Sequence, residues 1–271
     1  MGYPIAANLC RIFDVFVWNR SMQKAEKHAL EYGSNIVTNF KSCNDFDYVL
    51  TCLPSSIQVT EVLTAVHPHV SPDTVFVDLT SGDLASSQKL AKKLQPNRYM
   101  DAPVSGGPSG ASQGSLTSMV GTEGPLSDRD RQVIGAYSAN IVECGSIGHG
   151  NAVKAANNFL NVTQLLLASD VLLQLKKAGV STQAALSAIN ASSGRSRQTE
   201  LHIPTQVMTR QFDYGFKLNL MRKDVLQSEY ILRECMFYES VSSLLQPHAL
   251  NDSDYTTLVT HIEAKNKTQL P

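Results

Sequence analysis

One stretch, GHGNAVKAANN (residues 148–158), marks the place where the character of the sequence changes. Before it, short runs of β-branched and aromatic residues alternate with helical patterns. After it, only helical patterns follow. The change predicts a domain boundary near residues 147–151, with a first domain at 1–148 and an all-helical second domain at 149–271.

The first domain is predicted to be an α/β domain with a Rossmann-like, doubly wound sheet. Its predicted strands are residues 12–18, 35–38, 48–53, 74–79, 98–104, 116–120 and 140–144. Continuous apolar strands separated by helices indicate a mostly parallel sheet with helices on both faces. In the second domain, the predicted helices are residues 152–178, 182–189, 223–237, 240–245 and 255–265.

Composition and charge exclude several classes of protein. Of 271 residues, 42% are hydrophobic and the formal net charge is -1, which excludes a disordered chain and argues against a nucleic-acid partner. Polar residues interrupt the most apolar helical stretch, residues 160–175, so no membrane span is expected. The five cysteines include no CxxC pair, which predicts reduced thiols in an intracellular protein. The scattered histidines predict no metal site.

Two stretches near the amino terminus are candidates for binding a dinucleotide. Gly2 stands at the start of a predicted helix, where a glycine lets a pyrophosphate approach the backbone N–H groups. An ordinary N-terminal helix is the alternative. Asn19, Arg20 and Ser21 follow the first predicted strand, and no acidic residue is there to bind a ribose 2′-hydroxyl. An arginine in that place favours NADP(H) over NAD(H), although Arg20 as a solvated surface cation is the alternative.

Two further stretches could act on a substrate. Ser105, Gly106 and Gly107 follow a strand end, and their backbone N–H groups could hold a carboxylate, although a plain tight turn is the alternative. Lys154 and Asn158 share one face of the predicted long helix, with Asn157 beside them. A desolvated lysine suits general acid–base work, whereas a solvated charge is the ordinary alternative.

Taken in order, these stretches resemble the β-hydroxyacid dehydrogenase family, of which 3-hydroxyisobutyrate dehydrogenase is typical. The matching stretches are MGYPIAANL (1–9), LP (53–54), DLTS (78–81), DAPVSGGPSGA (101–111), GSLTSMVG (114–121), GHGNAVKAANN (148–158), SSGRS (192–196) and KD (223–224). Their order and spacing are specific, and together they span nearly the whole chain.

The resemblance implies a role for each matching residue. Lys154 matches the catalytic lysine, which exchanges a proton with the substrate oxygen during hydride transfer. Ser105, Gly106 and Gly107 match the carboxylate loop, and Asn157 and Asn158 match amides that orient the substrate. The positions implied to contact the cofactor are Gly2, Asn19, Arg20, Ser21, Leu53, Pro54, Gln58, Ser81 and Lys223.

The implied activity is that of an oxidoreductase of the 3-hydroxyisobutyrate dehydrogenase type. Its cofactor would be NADP(H), with NAD(H) as the alternative, and its substrate a small β-hydroxyacid or the matching semialdehyde. The resemblance also implies a homo-oligomer, a dimer or tetramer, located in the mitochondrial matrix or the cytoplasm.

The sequence departs from the family at its start. The family begins with a strand and GxGxMG, whereas this chain starts at the Met-Gly of that motif. We expect a truncated version of a longer protein, because every downstream motif is intact. The alternative is a catalytically weak or inactive member that acts as an interaction scaffold. Either way, the family's second and fourth strands are expected to lack the strand that pairs with both.

Overall fold

The structure, a computed structural model, describes residues 1–246 and 252–271. These divide into two compact units, Met1–Lys154 and Ala155–Pro271. The domain boundary predicted after residue 148 stays a prediction. It falls at the start of helix α7 (His149–Lys177), which begins in the first unit and continues into the second.

The first unit alternates strands and helices, and every predicted strand is present. The strands are β1 (Phe16–Val17), β2 (Asn35–Ile36), β3 (Tyr48–Thr51), β4 (Val75–Asp78), β5 (Tyr99–Asp101), β6 (Val104–Ser105), β7 (Leu116–Thr122) and β8 (Ser138–Gly145). The helices before α7 are α1 (Gly2–Leu9), α2 (Met22–Tyr32), α3 (Ser56–Val66), α4 (Leu84–Lys93), α5 (Gly107–Gln113) and α6 (Asp128–Gly135).

The main sheet is parallel through β3, β4 and β5 and then changes direction. Strand β7 is antiparallel to both β5 and β6, and β8 is parallel to β7. The single strand predicted at residues 98–104 is therefore two short strands, β5 and β6. Pro103 lies in the gap between them, and a proline has no N–H to continue the ladder.

Helices cover both faces of the main sheet, as predicted. On one face Val75 and Val77 of β4 pack in a core with residues of α1 and α6, such as Ile5 and Ile134. On the other face Phe76 packs with residues of α3 and α4. Successive side chains of a strand point to opposite faces, so the continuous apolar run of β4 fills two cores.

Strands β1 and β2 form a separate two-stranded parallel sheet. The strand predicted at residues 12–18 is reduced to Phe16–Val17, and the one predicted at 35–38 is reduced to Asn35–Ile36. Within residues 1–246 and 252–271, each of these two strands pairs only with the other. Strands β1 and β3 therefore lie in separate sheets, which is a split between the first strands of the unit.

The described residues of the second unit are helical around one apolar core. After α7 come α8 (Thr182–Asn190), a π-helix (Gln198–Val207), α9 (Leu218–Gln227), α10 (Glu229–Leu232), α11 (Tyr238–Leu244), a 3₁₀ turn (Tyr255–Thr257) and α12 (Leu258–Asn266). The predicted helix at 223–237 is wrong in extent, because α9 starts earlier and a break at Ser228 separates it from α10. The sequence pattern does not predict the π-helix. It contains Pro204, whose missing N–H favours a widened turn.

Candidate active site

The first turn of α7 is bound to the end of β5 by a buried carboxylate. Asp101 is 0% exposed. Its Oδ1 accepts the N–H of Gly148 at 2.6 Å, and its Oδ2 accepts the N–H of Asn151 at 2.7 Å. The first N–H groups of a helix have no partner within the helix, so Asp101 caps α7 from a distant part of the chain. Burial raises the pKa of Asp101 to about 6, although the two N–H donors oppose the shift.

The two glycines of the stretch GHGN allow this close approach. A Cβ on Gly150 would lie 2.2 Å from the backbone oxygen of Met119 and 2.8 Å from Oδ2 of Asp101. Gly148 has a φ of 92°, and a Cβ there would lie 2.9 Å from the backbone oxygen of Leu84. Both positions therefore require glycine, so that α7 can start close to the sheet at Gly150 and close to α4 at Gly148.

The side chain of Asn151 binds the same turn to the loop after β4. Its Oδ1 accepts the N–H of Gly82 at 2.8 Å, and its Nδ2 donates to Oγ of Ser87 at 3.0 Å. Asn151 is 1% exposed. Lys154, the last residue of the first unit, follows three residues later on α7 and is 8% exposed. The alternative of a solvated surface lysine therefore does not describe Lys154.

The predicted carboxylate loop lies at the end of β6. Ser105 is the last residue of that strand, and Gly106 and Gly107 lead into α5. Both glycines have a positive φ, 138° and 69°. Gly106 is exposed and its two neighbours are partly exposed, so the loop is open to a small ligand.

The structure brings together several predicted cofactor residues at the carboxyl ends of β3 and β4. The N–H of Leu53 donates to Oγ1 of Thr80, next to Ser81, at 3.0 Å. Pro54 follows Leu53 and is exposed. Ser55 Oγ donates to Oε1 of Gln58 at 2.6 Å, which fixes the Gln58 amide at the start of α3.

Gly2 begins α1 directly against this edge of the sheet. A Cβ on Gly2 would lie 3.2 Å from the Cβ of Cys52, which follows β3. The carboxyl edge of parallel strands is where open α/β sheets bind nucleotides, so these residues fit a dinucleotide.

The predicted 2′-phosphate residues follow β1, in the small sheet. The N–H of Ser21 donates to Oδ1 of Asn19 at 2.9 Å, so the turn is ordered by its own side chain. Arg20 lies at the tip of the turn and is exposed. Its side chain is open to solvent, which fits both the predicted 2′-phosphate contact and the alternative of a solvated surface cation.

In the second unit, one carboxylate connects the remaining predicted residues. Asn158 Nδ2 donates to Oδ2 of Asp224 at 2.6 Å, and Lys223 Nζ lies 3.2 Å from Oδ1 of Asp224. Asn157 Nδ2 donates to Oδ1 of Asn158 at 3.3 Å. An ionised carboxylate only accepts, so Asp224 turns the amide nitrogen of Asn158 towards itself.

The described part of the chain contains neither a cluster of metal-ligating side chains nor a helix that could span a membrane. Within residues 1–246 and 252–271, no three His, Cys, Asp or Glu side chains cluster as metal ligands would. Over the same residues, no helix has the length and apolar character that crossing a membrane requires.

Comparison with known proteins places the chain in a family. Residues 1–145 match the model of the NAD binding domain of 6-phosphogluconate dehydrogenase. Residues 148–246 match the model described as the NAD-binding of NADP-dependent 3-hydroxyisobutyrate dehydrogenase. The chain belongs to the β-hydroxyacid dehydrogenase family. The resemblance predicted from the sequence motifs is thus confirmed.

Individual β-hydroxyacid dehydrogenases match over most of their length. The 2-(hydroxymethyl)glutarate dehydrogenase of Eubacterium barkeri is 31% identical over 232 residues, covering 83% of this chain and 77% of the relative. The mitochondrial 3-hydroxyisobutyrate dehydrogenase of Homo sapiens is 29% identical over 243 residues, covering 83% and 70%. The structure of Mycobacterium tuberculosis 3-hydroxyisobutyrate dehydrogenase with L-serine has a TM-score of 0.88 at 24% identity, covering 97% of this chain and 95% of that one.

Sequence reasoning assigns no role to three residues that the structure connects to the predicted site residues. Asp101 and Asp224 were seen only as letters of matching motifs, and Asn151 only as part of the stretch GHGN. Each binds residues far away in the sequence, so only the folded structure could show its contacts.

Proposed function

We propose that the chain is a dehydrogenase that interconverts a small β-hydroxyacid and its semialdehyde, with NADP(H) preferred over NAD(H). The observation that carries the proposal is the burial of Lys154, which lies less than one turn beyond the start of α7 that Asp101 and Asn151 hold. A buried lysine beside carboxamides can exchange a proton with a substrate oxygen.

Each group of residues has one task in the proposed reaction. A bound nicotinamide dinucleotide supplies or accepts the hydride. When the alcohol is oxidised, Lys154 in its neutral form takes the proton of the substrate hydroxyl, and in reduction its ammonium gives a proton to the carbonyl oxygen. Ser105, Gly106 and Gly107 hold the substrate carboxylate by their backbone N–H groups. Asn157 and Asn158 orient the substrate, and the contact with Asp224 fixes which end of the Asn158 amide faces it.

The cofactor proposal rests on the loops that follow β1, β3 and β4. Gly2, Leu53, Pro54, Gln58 and Ser81 contact the dinucleotide. Arg20 would pair with a 2′-phosphate, while Asn19 and Ser21 shape its turn, and Lys223 would be a further cofactor contact. The absence of an acidic residue in residues 18–22 supports NADP(H).

A homo-oligomer, a dimer or tetramer, is part of the same proposal. Exposed apolar side chains recur along α7 with a spacing of seven residues, at Val153, Leu160 and Leu167. Such a stripe suits helix packing between copies. The five free cysteines support the expected intracellular location in the mitochondrial matrix or the cytoplasm.

A panel of substrates tests the activity. We expect absorbance at the nicotinamide band to change with at least one of 3-hydroxyisobutyrate, glycerate and 4-hydroxybutyrate, and faster with NADP⁺ than with NAD⁺. No turnover of any of these substrates or their semialdehydes would refute the proposal.

The second candidate is a non-catalytic scaffold, which the split between β1 and β3 favours. A thermal-shift titration separates the two candidates, because a ligand at 100 times its Kd stabilises by about 2.7 kcal/mol. A shift with NADPH supports the enzyme, whereas no shift with NADPH or NADH supports the scaffold.

A further inference from the structure

The carboxylate of Asp101 takes no part in the proposed proton or hydride transfer, yet it is fully buried. Removing a carboxylate from water is unfavourable, and a serine or asparagine could cap a helix without a charge. Both of its oxygens accept N–H groups from the first turn of α7. These two contacts hold the start of α7 at the end of β5.

Asn151 holds the same turn from a second direction. Asp101 comes from the end of β5, whereas Asn151 reaches Gly82 after β4 and Ser87 on α4. The two side chains thus attach the turn to two separate parts of the first unit. A helix start held at two points can neither slide along its axis nor rotate.

Lys154 lies less than one turn beyond Asn151 along a continuous α-helix. The position of its Cα is therefore set by the turn that carries Asn151. A proton donor must lie within hydrogen-bond reach of its acceptor, and a misplacement of about 1 Å can cost roughly 10²-fold in rate.

We propose that Asp101 and Asn151 form a two-point clamp on the start of α7 that positions Lys154 for proton transfer. Both are positioning residues, since each acts through the helix and not on the substrate. The inference rests on the proposed function of Lys154. It adds that the Asp of the stretch DAPVSGG and the Asn of the stretch GHGN serve one purpose.

The first test compares kcat, KM and dinucleotide affinity for Asp101→Asn and the parent chain. Asparagine keeps the shape but offers one acceptor instead of two. We expect kcat to fall about 10- to 100-fold, while the Kd for NADPH changes less than about twofold, since the clamp acts on the lysine. An unchanged kcat would overturn the clamp.

A double-mutant cycle shows whether the effect passes through Lys154. In a Lys154→Ala background, Asp101→Asn should lower kcat no further, because the group being positioned is gone. Equal fractional losses in both backgrounds would contradict the proposal. If Asp101→Asn fails to fold, Asn151→Ala goes through the same cycle, because it removes the contacts to Gly82 and Ser87 and leaves Asp101 in place.

The matched control is Asp130→Asn. Asp130 is also 0% exposed and also caps a helix, α6, through Ser127. Its other hydrogen-bond partners are Tyr48 and Arg98, neither of which belongs to α7. We expect this variant to lower the melting temperature with little change in kcat. If it lowers kcat as much as Asp101→Asn does, the loss is a general effect of instability and the clamp is overturned.

A labelling experiment keeps failure of the clamp distinct from failure of the proposed function. Acetic anhydride labels lysine amines, and mass spectrometry of the peptide that holds Lys154 gives the rate. We expect Asp101→Asn to raise that rate several-fold and Asp130→Asn to leave it unchanged. If the parent chain turns over no substrate, the proposed function fails, and the labelling rate still decides the clamp: a rate unchanged by Asp101→Asn overturns it.

Discussion

Replacing Gly150 by alanine puts a methyl group into the closest approach between α7 and the sheet. The added Cβ would lie 2.2 Å from the backbone oxygen of Met119 and 2.9 Å from the backbone oxygen of Asp101. Ordinary contact needs about 3.5 Å, so the start of α7 would have to move by roughly 1 Å. Backbone atoms cannot turn aside as a flexible side chain could.

The expected loss in the free energy of unfolding follows from the contacts that this movement strains. Overpacking costs about 1–3 kcal/mol, and each hydrogen bond to a charged group contributes about 1.5–3 kcal/mol. The displaced helix stretches both N–H contacts to Asp101 without fully losing them. We therefore expect a loss of about 3 kcal/mol. For a protein of this size that corresponds to a fall in melting temperature of roughly 6–12 °C.

Thermal and urea unfolding of Gly150→Ala, with Gly135→Ala as the control, measure this loss. Gly135 ends α6, and a Cβ there would meet no atom within 4 Å. Alanine at that helical position should leave the melting temperature unchanged or raise it slightly, since alanine is favoured over glycine by about 1 kcal/mol. If Gly150→Ala melts like the parent chain, α7 does not start against the sheet as described.

Three further predictions concern cofactor choice, pH and the split sheet. Arg20→Ala should reduce the ratio of kcat/KM for NADPH over NADH about 10-fold, the value of one exposed charge-assisted contact; equal use of both cofactors by the parent chain would contradict it. Burial raises the pKa of Asp101 from 3.8 to about 6, so the native state binds an extra proton between about pH 4 and 6. The free energy of unfolding should therefore decrease as pH rises through that window. Urea titrations should show that the change in this free energy between pH 4.5 and 7 is smaller for Asp101→Asn than for the parent chain. A segment of about six apolar residues and a Gly-x-Gly turn, added before Met1, should pair with β1 and β3. The longer chain should then have a higher melting temperature and bind NADPH more tightly. Equal melting temperatures and equal NADPH affinities of the two chains would show that β1 and β3 need no common partner.

The sequence was most informative where a local pattern sets the structure. Continuous apolar runs located the strands of the first unit, and a long helical pattern located α7. The break at Pro103 and the π-helix around Pro204 depend on how one missing N–H is accommodated, which the local pattern does not show.

In the candidate site, too, some residues can be predicted from local sequence patterns and others cannot. Motifs identified Lys154 and the carboxylate loop, because their residue types suit the chemistry. The contacts of Asp101 with Asn151 and of Asp224 with Asn158 join residues 50 and 66 positions apart. No spacing rule predicts such pairs, so only the folded structure identifies the residues that position the site.

The central claim is that Lys154 exchanges the proton during hydride transfer, and Lys154→Ala tests it most directly. With the best substrate and cofactor, kcat should fall about 10²- to 10⁴-fold, while the Kd for NADPH and the melting temperature stay close to those of the parent chain. Lys89→Ala, which removes an exposed lysine of α4 in the same unit, should leave kcat unchanged. Turnover of Lys154→Ala within a few-fold of the parent chain would contradict the account.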